Sequence, residues 1–238
     1  MTDPLAFGRT LVVAPHPDDE ILGVGGTIAR LARAGEDVFV AIVTSGRPPT
    51  FSPSQIATVR GEAEHAHALL GVRRTFWLDF PAAGLADTPH SELNSALQKL
   101  VVQLRPATML LPFVGDMHLD HQLSFASALV AARPHQADYP ERILAYETLS
   151  ETNWNAPYLT AGFHPNLFVE IGETLPLKLE AMGIFETQLK AFPHERSLEA
   201  LKALALLRGA TVHLPAAEAF VLVRHVVQRA RTEAAAGV

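Results

Sequence analysis

Two short segments of the chain concentrate groups that can bind a cation or move a proton. The first, Ala14-Pro15-His16-Pro17-Asp18-Asp19-Glu20, packs one imidazole and three carboxylates into five residues, between an apolar run and the start of a helix. Acidic side chains in a first helical turn also cap free N–H groups and complement the helix dipole. That reading accounts for Asp19 or Glu20. It does not account for His16, nor for the two prolines that stiffen the chain around it. The second segment, Leu111-Pro112-Phe113-Val114-Gly115-Asp116-Met117-His118-Leu119-Asp120-His121, sets two histidines three apart with Asp120 between them, again at a helix start. Histidines at i and i+3 share one helix face and can point into one cleft. Together the segments supply a set of two histidines and one carboxylate with a coordination position left open, as a catalytic zinc requires.

Composition narrows the chemistry further. The 238 residues include eleven histidines and no cysteine. Disulfides, thiolate nucleophiles, iron–sulfur ligation and cysteine-based zinc sites are therefore excluded. Any transition metal must be held by histidine and carboxylate. A net charge of −6 argues against a broad surface for nucleic acid. With 48% hydrophobic and 18% charged residues the chain reads as globular rather than disordered. Its length suits a single domain, residues 1–238, large enough to bury a core without staples. The opening Met1-Thr2-Asp3-Pro4-Leu5 lacks the basic and apolar regions of a secretory signal. No run of ~18 apolar residues offers a membrane span, and the tail 232–238 reads as a fraying end. The expectation is a cytoplasmic protein with neither nucleic-acid nor membrane partners.

The elements that must position these groups follow from periodicity. Residues 10–14 form a short apolar run suited to a strand buried on both faces, and Ile21, Leu22, Ile28, Leu31 and Ala32 then recur at helical spacing up to Gly35. Strands are expected at 38–43, 74–78 and 108–111, and helices at 56–70, 93–104 and 121–132, with 46–53 as a loop. Beyond Pro134, strands at 143–146 and 167–171 and helices at 175–189 and 198–207 are expected, the last stopped by Gly209. Residues 218–227 lean towards strand. This alternation implies an α/β fold with a mainly parallel sheet. In such sheets ligands bind beyond the carboxyl ends of the strands, where both segments fall.

The segment His16-Pro17-Asp18-Asp19-Glu20, followed by Leu22-Gly23 and Gly25-Gly26, resembles the signature of the PIG-L/LmbE superfamily of zinc-dependent de-N-acetylases. His118-Leu119-Asp120-His121 is similar to that family's second metal motif. The likeness continues in order through Thr44-Ser45-Gly46, Glu62, Leu70-Gly71, Tyr146-Glu147, Phe192-Pro193-His194-Glu195-Arg196-Ser197 and Arg208-Gly209. The resemblance implies a Rossmann-like domain with zinc held at the strand ends by His16, Asp19 and His121. It further implies Asp18 as the general base on water, and His118 as the group that polarises the substrate carbonyl or assists the leaving group. Either Asp18 or His118 could protonate the departing nitrogen. Fe²⁺ or Co²⁺ would also suit such a donor set. The implied reaction removes the acetyl group from a GlcNAc-type amino sugar, and the implied assembly is a homo-oligomer, a trimer or hexamer. Sugar candidates range from thiol-cofactor precursors and inositol-linked glucosamine to chitooligosaccharides and antibiotic or surface-polysaccharide sugars.

Other residues admit two readings each. Asp120 could orient a ligating histidine or face solvent. Arg60 could reach substrate or be solvated, and His194 and Arg196 could line the sugar pocket or form a capping turn. Trp77, Phe80 and Trp154 could stack on a sugar or simply pack. The glycines 23, 25 and 26 do not make a dinucleotide fingerprint, because Thr27 stands where a further glycine is needed. Two rivals to the deacetylase are a metal-dependent hydratase or lyase on the same scaffold and a non-catalytic sugar-binding module. The presence of Asp18 beside the ligand set counts against both.

Overall fold

A computed structural model of the chain describes residues 7–227; the opening segment and the tail discussed above lie outside the described residues. Helices and strands run in the order β1 (Thr10–Ala14), α1 (Asp19–Arg33), β2 (Val38–Ser45), α2 (Pro53–Leu70), β3 (Arg74–Pro81), α3 (His90–Leu104), β4 (Thr108–Pro112), α4 (Leu119–Ala131), β5 (Arg142–Tyr146), β6 (Leu167–Glu170), α5 (Leu175–Ile184), α6 (Leu198–Thr211) and β7 (Ala217–His225). The strands form one sheet in the order β3-β2-β1-β4-β5-β7-β6. The first five are mutually parallel, and β7 runs antiparallel to both β5 and β6. Chain order reverses between β1 and β4, which pair directly. The crevice outside that junction is where a sheet of this topology opens to a ligand. Both motif segments leave the sheet there.

Alternation along the strands divides the interior into two layers. Val12, Ala14, Val40, Ile42, Leu110 and Tyr146 face α1, α2, α5 and α6, whereas Leu11, Val13, Ala41, Val43, Met109 and Leu111 face α3 and α4. Strands buried on both faces read as continuous apolar runs, which is why the inner strands were legible. None of the described helices is long and apolar enough to cross a membrane.

Several boundaries differ from expectation. Helix α2 begins earlier, at Pro53, because Ser52 and Gln55 form a reciprocal capping box ahead of it. Helix α5 ends at Ile184 rather than 189, and the Thr187 N–H and hydroxyl then bond the Glu62 carboxylate at 3.0 and 2.5 Å. Helix α6 runs through Gly209 to Thr211. A Cβ on Gly209 would come within 2.7 Å of the Ala216 Cα, so this glycine admits the returning chain instead of stopping the helix.

Helix α1 is not continuous. Val24 has φ −135°, ψ 18°, which interrupts the ladder in the middle of the helix. Gly23 packs closely against Tyr146, whose ring would lie 2.3 Å from a Cβ there. The broken backbone is satisfied by a buried ion pair. The Lys178 ammonium donates to the Leu22 carbonyl at 2.9 Å and to the Glu218 carboxylate at 2.6 Å. Glu218 in turn accepts the N–H groups of Gly26 and Thr27 at 2.8 and 2.7 Å. Each half of α1 thus has its own cap, drawn from α5 and β7. Removing one partner strands the other charge in the core, so Lys178→Met is expected to cost about 3–5 kcal/mol in urea unfolding of the full chain. A loss under ~1 kcal/mol would mean that the pair does not hold the break.

Candidate active site

The loop between β1 and α1 is held from three sides. Thr44, near the end of β2, donates its N–H and its hydroxyl to the Pro15 carbonyl at 3.0 and 2.8 Å, which pins the entry to His16. Asp18 adopts φ 112°, ψ −27°, a left-handed conformation that costs a residue with a Cβ about 1–3 kcal/mol. Its N–H donates to Glu20 Oε2 at 3.2 Å. The other Glu20 oxygen pairs with His67 Nε2 at 2.8 Å, and His67 Nδ1 meets the Thr75 hydroxyl at 2.7 Å. A chain of buried contacts from β3 through α2 therefore fixes the backbone of Asp18. From sequence Glu20 reads only as a first-turn cap and His67 has no role, because the pairing between α1 and α2 carries no local pattern.

Asp19, Asp120 and His121, all buried at the starts of α1 and α4, meet the less buried His16 ring from the β1–α1 loop. Asp19 Oδ2 accepts the His16 N–H at 2.8 Å and lies 3.2 Å from His16 Nδ1 and 3.1 Å from His121 Nε2. Each imidazole is oriented by a further carboxylate. His16 Nε2 lies 3.1 Å from Asp120 Oδ2, and His121 Nδ1 lies 2.8 Å from Asp116 Oδ2. Asp120 also accepts N–H bonds from Ala83 at 2.7 Å and Leu85 at 3.3 Å, so its solvent-facing alternative is set aside. Asp116 went unassigned in the sequence, although it stands five residues before His121. The Thr152 hydroxyl donates to its other oxygen at 2.6 Å.

Two overlapping groups have the spacing to hold a metal: His16, Asp19 and His121, and His16, His118 and Asp120, each with donor atoms within 4.8 Å of one another. Hydrogen bonding separates them. Asp19 Oδ1 and His121 Nε2 are buried and have no hydrogen-bond partner. Such orphaned atoms are costly, and a divalent cation between them would satisfy both. In the second group Asp120 is already committed three times over, and His118 Nδ1 accepts the Asp120 N–H at 3.1 Å. The first group fits a cation, and its chemistry suits a borderline metal ion.

His118, the residue capping α4, therefore carries its proton on Nε2 when neutral. Its ring stands edge-on to His16, with centroids 4.6 Å apart. Burial and the neighbouring His16 hold its pKa below the usual histidine value. Asp18 is pushed upward by burial, against the pull of Arg196, whose Nη1 donates to Asp18 Oδ2 at 3.2 Å. Arg196 also bonds the Ser150 hydroxyl at 2.8 Å and Glu151 at 3.4 Å.

These residues open onto a cavity of about 390 Å³ lined by His16, Asp18, His118 and Arg196 at one end, and by Arg60 and Trp77 among others elsewhere. Arg60 stacks over Trp77 at 4.6 Å and pairs with Asp79. His194 is not among the lining residues. Its Nδ1 accepts the Arg196 N–H at 3.0 Å and its ring packs edge-on against Trp154. Phe80 packs into the core layer on the α3 and α4 side.

Without a cation, burial depresses the His16 imidazole, but bonds to Asp120 and Asp19 outweigh it and raise the pKa to about 9. His121 is likewise lowered by burial and raised more strongly by Asp19 and Asp116, to about 10. Both rings must be neutral to ligate, and their raised values keep them protonated at neutral pH. Cation binding must displace those protons, so affinity should rise with pH from about 6 to about 8, with net proton release. Calorimetric zinc titrations in buffers of different ionisation enthalpy measure this directly. A pH-independent affinity would mean that these imidazoles are not the ligands.

The chain resembles known proteins over most of its length. It is 29% identical to diacetylchitobiose deacetylase of Thermococcus kodakarensis, across 84% of this chain and 78% of that protein. It is 31% identical to an uncharacterized deacetylase of Escherichia coli, across 72% of this chain and 87% of the relative. Among solved structures, a conserved protein of Thermus thermophilus superposes with a TM-score of 0.74 at 28% identity, covering 95% of this chain and 99% of that one. Residues 11–132, just over half of the sequence and including both motif segments, match the PIG-L family, described as GlcNAc-PI de-N-acetylase. The chain belongs to the PIG-L family.

Proposed function

We propose that the chain is a zinc-dependent N-deacetylase that hydrolyses the acetamide of a GlcNAc-type amino sugar to a free amine and acetate. The observation that carries this reading is the buried pair Asp19 Oδ1 and His121 Nε2, which make no hydrogen bond although His121 Nε2 lies 3.1 Å from Asp19 Oδ2, in a site that opens beside Asp18 and His118. The deacetylase names of the relatives give the reaction class, and an N-acetylated disaccharide is the substrate that one of those names carries.

An amide resists water because its carbonyl is a weak electrophile and its nitrogen a poor leaving group. A cation held by His16, Asp19 and His121 would supply Lewis acidity, polarising the carbonyl and acidifying water; zinc is preferred, and Fe²⁺ or Co²⁺ would suit the same donors. Asp18 takes the proton from the attacking water. Its burial raises its pKa to about 8 and so favours accepting one, while Arg196 orients the carboxylate and pulls that value down. His118, with Nδ1 committed to the Asp120 N–H, offers Nε2–H to the developing oxyanion. Having one proton, already used in that bond, neutral His118 leaves delivery of a proton to the departing nitrogen to Asp18. Arg196 thus acts through Asp18, in addition to facing the cavity.

Acetate and free amine should appear together when zinc-loaded protein meets an N-acetylglucosaminide. Asp18→Ala should lower kcat by about 10²–10⁴-fold with metal content unchanged. Hydration of an unsaturated acid, with no acetate from any acetamido sugar, would favour the hydratase reading instead.

The strained backbone of Asp18 predicts a remote effect. His67→Ala removes the partner of Glu20, and a misplaced base is expected to lower kcat by about 10- to 100-fold while leaving KM within about twofold. His67→Gln, which can still donate to Glu20, should recover part of the loss. Equal losses in both variants would assign His67 to packing alone.

A further inference from the structure

We propose that the cavity takes its amino sugar with an uncharged apolar aglycone, an aryl or alkyl group seated against Phe51, Ile56, Val59 and Trp77. This rests on the deacetylase reading, because it assumes that the acetamide lies at the Asp18 and His118 end. The apolar part of the remaining wall comes mainly from α2, the loop before it and β3, with Thr187 and Gln188 from the segment after α5 beside it. Ile56 and Val59 lie three apart on one face of α2. The fully buried residues of that helix are Ala63, Ala66, His67 and Leu70, all in its second half. Ile56, Val59 and Phe51 belong to neither core layer, although Phe51 packs against Gly46. Apolar side chains that line a cavity beside a reactive centre, rather than the core, are the usual wall of a ligand pocket.

Several polar groups around that wall are already engaged. Gln55 Oε1 accepts the Ser52 N–H at 2.8 Å, the Thr187 hydroxyl donates to Glu62 at 2.5 Å, and Gln188 Nε2 donates to Thr187 at 3.2 Å. The Ser45 hydroxyl and the Gln55 amide N–H groups carry no hydrogen bond among the described residues, so a polyol or second sugar would meet two open side-chain partners against four apolar side chains. An anionic aglycone fares no better. Arg60 and Arg196 are the arginines lining the cavity; Arg60 is paired with Asp79, and Arg196 with Asp18 and Glu151. Arg60 also holds one face of Trp77 at 4.6 Å, which fixes the indole before any ligand arrives.

The test compares zinc-loaded full-length protein on free GlcNAc, diacetylchitobiose, and phenyl and octyl N-acetylglucosaminides in both anomers. At least one apolar glycoside should show a KM about tenfold below that of diacetylchitobiose. Val59→Asn should bring that ratio towards one. A parallel calorimetric titration uses zinc-loaded Asp18→Asn, which reads binding without turnover and should show the same order. Diacetylchitobiose binding as well as or better than both apolar glycosides overturns the aglycone assignment, even where acetate release from GlcNAc upholds the deacetylase. Acetate from none of the sugars, with no binding to Asp18→Asn, overturns the deacetylase reading and this inference with it. Binding of the apolar glycosides without acetate from the wild type leaves the pocket assignment standing and removes the reaction.

Discussion

Three consecutive carboxylates, Asp18, Asp19 and Glu20, are buried side by side where β1 meets α1. Charges so close together and removed from water repel one another and lose hydration, so each must have its own source of compensation. The site follows from how that is met. Glu20 is matched by His67 from α2, and Asp18 by Arg196 from the turn before α6. Asp19 is flanked by His16 and His121, yet one of its oxygens and the nearby ring nitrogen of His121 still make no hydrogen bond. The residual demand for positive charge is concentrated at one point, and that is the physical basis for assigning a cation there.

The same requirement links the site to the fold. Its partners come from elements far apart in sequence, and only the chain reversal between β1 and β4 brings α1 and α4 to one crevice. Helix α1 carries the carboxylates and is itself broken at Val24, where it leans on Tyr146 through Gly23. Tyr146 reaches back to bond the Val13 carbonyl at 2.8 Å. The Lys178–Glu218 pair then closes the break from the other side of the same layer. A second, partly buried pair, Arg208 with Glu147, ties α6 to the segment after β5 at 2.8 and 2.6 Å. These contacts give the glycines of α1 and the Tyr146-Glu147 and Arg208-Gly209 pairs structural work, distinct from contact with a ligand.

Much of this was legible in the sequence because it is local. Strands buried on both faces announce themselves as apolar runs, and the two motif segments hold their functional groups within a few residues of one another. What escaped was long-range or depended on geometry. His67 is an unremarkable helical histidine until α2 packs beside Glu20, and Asp116 becomes the orienting group for His121 only once the turn before α4 is formed. The extension of α6 through Gly209 was missed because a close approach by Ala216 has no local signature. His194 lies near the site in sequence motif but packs on Trp154. The orienting role open to Asp120 acquires a definite ring, that of His16, only in the folded chain.

The most direct test is where a metal ion sits. His16 borders both candidate groups, so chemical analysis of metal content does not distinguish them, whereas anomalous diffraction from zinc-loaded crystals does. One strong zinc peak per chain is expected, within bonding distance of His16, Asp19 and His121, with Asp120 and Asp116 remaining hydrogen-bonded to the two rings. A zinc peak bound instead by His118 and Asp120, with Asp19 uncoordinated, would contradict it.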